Sequence, residues 1–441
     1  MITRVKVKGY KSLKDIEVSL QPLTIIIGPN AAGKSNLFDL LKLVSRIVTS
    51  RTLKEAFEEH RGDPIEAFYC DSGIEDVMKK DIATFSVEID VELSKDVVES
   101  IEKEIQKMRE GLPKKDSKES DKRRITHKFL RYYLTIGIRP DSGHLQVREE
   151  KLVALREDGT ERQRPEPFIE VVKDSIRLRM EGKSAPRKND IGLDYTIVSR
   201  PLYLPHYPHI NAFQRELSRW RFYYLEPDIM REENELKEVR NLGSFGDSLS
   251  AFYNTLITHY EERFNSFNKS LKTIIPAVDE IRIERNPKSG RLLLMVREGE
   301  GWFSARVVSE GTLRILALLG ITNPIEPTSV VGYEEPENGV HPRRLKLIAD
   351  LFQNAARRSD SQFLINSHST LFPDFFEPSQ IIVCEKSDYA TSFRQFDKSQ
   401  IFKQSNIEKT LEEPSIKQSN IEKALEKPSI GERIIRGDYG G

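Results

Sequence analysis

Leu23-Thr24-Ile25-Ile26-Ile27-Gly28-Pro29-Asn30-Ala31-Ala32-Gly33-Lys34-Ser35 is the stretch on which the fold turns. Its first five residues are a short, β-branched, apolar run of the kind a strand buried on both faces requires. The next eight match the phosphate-loop pattern. Gly28 and Gly33 allow backbone N–H groups to close around phosphates, Lys34 reaches the β and γ oxygens, and Ser35 offers a hydroxyl to Mg²⁺ at a helix N-terminus. From Lys34 onward, Leu37, Leu40, Leu41, Val44 and Ile47 recur at helical spacing, so the loop lies between a buried strand and an amphipathic helix. That context gives the motif its specificity. Gly28, Pro29, Asn30, Ala31, Ala32, Gly33, Lys34 and Ser35 are the candidate nucleotide-binding residues.

Around this stretch, Ile2 to Val7 and Ile16 to Leu20 alternate apolar and polar residues like half-exposed strands. The chain has 441 residues with 69 basic and 69 acidic side chains, a net charge of zero in which 31% of residues are charged. This balance excludes a polycation that coats nucleic acid and an acidic mimic of it, but leaves room for local basic faces near 114–128 and 177–188. Cys70 and Cys384 have no partners at metal or redox spacing, the N-terminus lacks a signal-peptide core, and no apolar run is long enough for a membrane span, so a cytoplasmic protein is expected.

A second carboxylate-bearing motif lies far downstream. Val330-Val331-Gly332-Tyr333-Glu334-Glu335 is an apolar strand ending in two adjacent carboxylates, which suits one group to Mg²⁺ and the other to polarising an attacking water. Glu334 is the candidate metal ligand with Ser35, and Glu335 the candidate general base. Gln362 to Asn366 reads as another strand, ending at Ser367-His368-Ser369. His206-Tyr207-Pro208-His209 lacks the cysteine or paired carboxylate a metal site would need, and Trp220-Arg221-Phe222-Tyr223-Tyr224 reads as a core strand in preference to a base-stacking surface.

Taken in order, the phosphate loop, Val308-Ser309-Glu310-Gly311-Thr312-Leu313-Arg314, the paired glutamates and Asn366-Ser367-His368-Ser369 resemble the Walker A, signature, Walker B and switch-histidine motifs of an ABC-type ATPase head. The resemblance is to the RecF/SMC/OLD branch, through Gly9-Tyr10-Lys11-Ser12-Leu13 and the Glu-Glu-Pro-Glu-Asn-Gly-Val-His-Pro run from Glu334 to Pro342. It covers about 1–80 and 236–385 and the middle only loosely. It implies an α/β P-loop NTPase in four parts: an N-terminal head lobe (1–80), an inserted α+β lid or arm (81–235), a C-terminal head lobe (236–396), and a tail (397–441). The tail carries the near-perfect tandem repeat KQSNIEKTLEEPSI and KQSNIEKALEKPSI at 403–416 and 417–430.

The resemblance further implies a head-to-head homodimer with two ATP molecules at its interface, Mg²⁺ as the metal, and slow turnover. Each ATP would rest on Lys34 and Ser35 of one subunit under Ser309 and Gly311 of the other, with His368 at the γ-phosphate and Asn338 to His341 in the place of the D-loop. Gln146 is the one candidate for a Q-loop glutamine, without supporting context, and Glu385 with Asp388 echoes the start of the Toprim nuclease domain of OLD proteins, for whose remainder the chain beyond has no room. The expectation is therefore an ATPase switch in a DNA transaction, anti-phage defence or repair, that controls a separately encoded effector such as a nuclease or toxin, with DNA as a further partner and no membrane. The alternatives are an ATP-stabilised scaffold or sensor with little turnover and, more remotely, a transporter ATPase subunit.

Overall fold

The computed structural model describes residues 1–71, 73–110, 125–172, 175–181, 187–190, 192–358 and 361–396. The repeat-bearing tail, the charged run 111–124 and the centre of the second basic cluster, 182–186, lie outside the described residues.

β1 (Ile2–Tyr10) and β2 (Leu13–Ser19) form an antiparallel hairpin whose alternation buries Ile2, Val5, Val7 and Tyr10. β3 (Leu23–Ile27) then leads through the phosphate-loop stretch to α1 (Lys34–Ile47). Two short helices, α2 (Leu53–Phe57) and α3 (Ile74–Met78), precede β4 (Ala83–Glu92) and α4 (Lys95–Glu110). β5 (Phe129–Arg139) and β6 (His144–Ala154) are long, whereas β7 (Ile169–Val172), β8 (Ser175–Leu178) and β9 (Arg187–Asp190) are short. The chain continues through α5 (Pro208–Ser218), β10 (Trp220–Tyr223), α6 (Pro227–Met230), α7 (Leu249–His259) and α8 (Glu261–Ile274). A three-stranded meander, β11 (Glu280–Arg285), β12 (Leu292–Glu298) and β13 (Gly301–Ser304), precedes α9 (Glu310–Thr322). β14 (Val330–Glu334), α10 (Leu345–Arg358), β15 (Gln362–Ser367), β16 (Ile381–Ser387) and β17 (Ala390–Gln395) complete the order.

The central sheet runs β10-β14-β15-β3-β16-β17, parallel except at β17. Every residue of β3 is buried because both faces are covered. Ile26 packs into the core shared with α1 and the β1–β6 strands, while Leu23, Ile25 and Ile27 pack into the core shared with α7, α9 and α10. Each such side chain contributes about 1.5–3 kcal/mol on burial, which favours apolar side chains on both faces of this strand. The parallel order sets the carboxyl ends of β3, β14 and β15 side by side, where open sheets carry their ligand chemistry.

The second sheet, β2-β1-β4-β5-β6-β7-β8-β9, is antiparallel and runs straight across the expected boundary at 81. β4 pairs with β1 from Ile2↔Val91 to Lys8↔Ser86, and β10, also within the expected 81–235 insert, is an edge of the central sheet through Trp220↔Val330 to Tyr223↔Tyr333. Sheet pairing ignores sequence distance, so residues 81–235, the expected insert, share hydrogen-bond ladders with the segments on either side. Trp220 and Tyr223 are buried in that edge strand, and His209 is a buried structural residue. Its Nδ1 faces Glu181 Oε2 at 2.6 Å, its Nε2 accepts the N–H groups of Thr126 and His127, and its ring stacks on Phe168.

Candidate nucleotide site

α1 begins at Lys34, with Gly33 at its N-cap in the left-handed region at φ 101°. No acidic residue occupies the first turn of α1, so the positive end of the helix dipole is left for an anion. The Lys34 ammonium lies inside the loop and donates to the Gly28 carbonyl at 2.7 Å and the Pro29 carbonyl at 2.9 Å. Burial lowers its pKa, opposed by Cys384 and by Glu335, Glu337 and Glu334. An amine held at a burial cost gains from a phosphate whose negative charge offsets that cost.

The loop is braced from below. A Cβ at Gly28 would stand 2.1 Å from the Cys384 carbonyl oxygen, and one at Gly33 would stand 2.0 Å from Thr391 Oγ1, so both positions require glycine. A hydrogen-bond chain fixes the rest: the Asn36 amide donates to Ser12 Oγ at 2.7 Å, Ser12 and Thr391 hydroxyls meet at 2.6 Å, and Thr391 donates to the Ala32 carbonyl at 2.8 Å. Lys11 binds Asp39 of α1 at 2.7 Å. The Lys11-Ser12 step therefore fastens the first hairpin to the phosphate-loop helix. Burial pushes the Cys384 thiol up to about 12, so it stays a neutral packing group. Glu385 and Asp388, the residues that echo a Toprim start, belong to the β16–β17 hairpin of the head. Glu385 accepts from Arg394 at 2.6 Å and Asp388 sits in the turn with positive φ.

Glu334, the last residue of β14, pairs in register with Asn366, the last but one of β15. The Ser35 hydroxyl donates to Glu334 Oε2 at 2.6 Å, and the Asn366 amide donates to the same oxygen at 3.0 Å. Two oxygen donors without a carboxylate cage suit Mg²⁺, which keeps several waters and takes phosphate oxygens as its other ligands; among the described residues there is no cluster of three or more metal-binding side chains. Glu335 follows in the left-handed region at φ 54°, a conformation that costs about 1–2 kcal/mol for a residue with a side chain. It is held there by its own N–H, which reaches the Asn366 carbonyl at 3.0 Å and Asn366 Oδ1 at 3.2 Å, and by Asn338, which donates to its Oε2 at 2.5 Å. His368 Nδ1 stands 3.6 Å from Glu335 Oε1. Lys34, Ser35, Glu334, Glu335 and His368 thus meet within one chain.

Ser309 and Gly311 sit elsewhere. Ser309 is the exposed N-cap of α9, its Oγ accepting the Thr312 N–H at 3.2 Å. Gly311 packs on the 335–341 turn: a Cβ there would meet the Gly339 carbonyl at 3.0 Å. Among the described residues no hydrogen bond joins either residue to the loop 28–35. Gln146 lies within β6, paired opposite Gly137, with its Nε2 buried and unpartnered, and none of the hydrogen bonds of the loop 28–35 reaches it. Sequence reasoning missed Asn366 as the amide that joins the Glu334 carboxylate to the Glu335 backbone N–H, Thr391 and Cys384 as braces, and Glu337, whose Oε1 faces His368. Only Asn366 carried a signal, its place at the end of an apolar strand.

The family described as "AAA ATPase domain" matches residues 1–175, and that described as "AAA domain, putative AbiEii toxin, Type IV TA system" matches residues 199–374. The OLD nuclease of Thermus scotoductus is 46% identical over 44 residues, which make up 10% of this chain and only 8% of that protein. The crystal structure of an SMC head bound to the C-winged helix domain of ScpA is 14% identical and covers 91% of this chain and 99% of its own, with a TM-score of 0.50, a likeness of fold. An Smc head with an extended coiled coil from Pyrococcus furiosus, bound to the C-terminal domain of ScpA, covers 93% and 99% at 11% identity with a TM-score of 0.48.

Proposed function

We propose, from the premise that this chain is an OLD/SMC-like ABC-type ATPase, that it works as a nucleotide switch in which two copies close head to head over two ATP molecules. The observation that carries this reading is the division of the site. One copy gathers Lys34, Ser35, Glu334, Glu335 and His368, while its Ser309 stands exposed on a helix N-terminus with, among the described residues, no hydrogen bond to that cluster. A second copy brings that N-terminus over the first copy's γ-phosphate.

In the closed dimer Lys34 exchanges the Gly28 and Pro29 carbonyls for β and γ oxygens. Ser35 and Glu334 would hold Mg²⁺, which would supply charge neutralisation at the phosphates. Glu335 accepts the proton of the attacking water as its oxygen bonds to the γ-phosphorus and the bond to the β-phosphate oxygen breaks. His368 donates to a γ oxygen as negative charge is redistributed. Removing the proton acceptor should stop the reaction after closure. With Glu335→Gln and ATP, light scattering should report a stable dimer; a variant that stays monomeric would end this mechanism.

The switch serves a DNA transaction, and defence is the better supported of the two roles. The matched family's printed description names a toxin–antitoxin system, and the curated relative is an OLD nuclease. The output is a separately encoded effector such as a nuclease or toxin, with the protein acting in the cytoplasm. Phosphate release with and without DNA tests this: strong stimulation supports the switch, whereas tight nucleotide retention with undetectable turnover fits an ATP-stabilised scaffold.

A further inference from the structure

Glu337 is the third carboxylate of the Glu334-Glu335-Pro336-Glu337 run, and the proposed chemistry leaves it without a role. Its side chain is 9% exposed. Its Oε1 collects the Ser367 hydroxyl at 2.8 Å, the His368 N–H at 2.7 Å and the Ser369 N–H at 3.0 Å, and faces His368 Nδ1 at 3.3 Å. Its Oε2 is buried and, among the described residues, has no partner.

A carboxylate kept for stability alone would share its donors between both oxygens, because an unpartnered buried acceptor is a net cost. Here three donors from three consecutive residues converge on one oxygen, and those residues are the ones that carry His368. The same segment extends the fastening: Ser367 Oγ accepts the Ser369 N–H, and Ser369 Oγ accepts the N–H groups of Leu371 and Phe372. Glu337 therefore fixes the backbone on which the imidazole stands, and places Nδ1 between Oε1 of Glu337 and Oε1 of Glu335.

We infer that Glu337 is a positioning residue that acts through His368, setting the backbone and ring so that Nε2 faces the γ-phosphate. The inference rests on the reading of His368 as the γ-phosphate contact. It separates two classes of glutamate in one motif: Glu334 and Glu335 toward metal and water, and Glu337 toward the histidine.

The test is a double-mutant cycle on ATP hydrolysis by the full chain, with kcat and KM measured for Glu337→Ala, His368→Ala and the pair. The expected result is a kcat at least tenfold lower in Glu337→Ala with the KM for ATP within about twofold, and a double variant no slower than His368→Ala. Multiplying losses, or an unchanged kcat in Glu337→Ala, would overturn the inference. His368→Ala with undiminished kcat would instead overturn the underlying reading of the histidine. If Glu337→Ala fails to fold, Glu337→Gln is measured in the same cycle. It keeps an oxygen for the three donors, and the inference expects it to recover most of the lost kcat.

Discussion

Where the loop from Gly28 to Ser35 is tied to the first hairpin, to β16 and β17 and to Glu334, the segment from Val307 to Thr312 is anchored by buried Val308, whose carbonyl accepts from Arg231, and by Gly311 against the turn at Gly339, and leaves its helix N-terminus in solvent. Val307 is 70% exposed, and Ser309 and Glu310 are exposed with it. The loop, the proposed phosphate-holding half, is organised without nucleotide, since its hydrogen-bond chain is complete and Gly28 and Gly33 cannot be replaced without collision. On the proposed reading, the signature half offers its helix N-terminus through the approach of a second copy. A site divided in the proposed way would make hydrolysis depend on assembly, as a switch requires.

The first way to break this comparison is at Lys34. If the phosphate-holding half binds ATP on its own, Lys34→Ala should weaken ATP binding about 100-fold or more, read by calorimetric titration. Affinity close to that of the unaltered chain would mean the loop is not the phosphate site. Ser309→Arg is the counterpart: ATP affinity within about twofold, but hydrolysis lowered roughly 100-fold. Mixing the two variants sharpens the comparison further. A mixed dimer carries one intact site, Lys34 from one copy and Ser309 from the other, so activity should return on mixing. A mixture as inactive as its components would remove the shared site.

The two halves also differed in how far the sequence revealed them. The loop, the paired glutamates and His368 were legible because each is a short motif at the end of an apolar strand, where composition alone signals a buried strand delivering polar groups. What joins them was not. Asn366 reaches Glu334 because β14 and β15 are parallel and in register, and Thr391 reaches Ala32 because a hairpin late in the chain closes the edge of the sheet next to β3. That the sheet crosses the expected boundary at 81 was hidden for the same reason, since β4 pairs with β1. Pairings between distant segments leave no periodicity in either one.

A smaller effect separates the halves by stability. Gly33→Ala places a Cβ against Thr391 and Ser12 at a positive φ, and should lower unfolding stability by about 4 kcal/mol. Gly311→Ala meets only the Gly339 carbonyl, at 3.0 Å, and should cost about 1 kcal/mol in denaturant unfolding. Equal losses would mean that the signature half is as tightly built as the loop.

The smallest effect concerns the rear of α1, the helix that presents the loop. Glu150 is fully buried in β6 and accepts from Tyr132 at 3.0 Å and from the N–H groups of Ile197 and Val198 at 2.7 and 3.1 Å. These bonds shape the turn from which the Thr196 hydroxyl donates to the Ile47 carbonyl at the C-terminal end of α1. Burial pushes the Glu150 pKa up to about 7 from 4.5, against the lowering effect of its three donors. The folded chain therefore keeps this proton up to about pH 7, whereas the unfolded chain releases it near 4.5, so the folded state binds more protons between those values. The stability Glu150 contributes is fully present below pH 4.5 and is lost as pH rises through 7, a difference on the order of 2 kcal/mol between pH 5 and 8. Glu150→Gln cannot titrate, and its amide must turn an N–H toward one of the three donors, so it should be less stable at pH 5 yet lose less on going to pH 8. Denaturant midpoints at the two pH values decide the matter. A variant whose midpoint falls as steeply as that of the unaltered chain would show that the rear anchor of α1 does not depend on this proton.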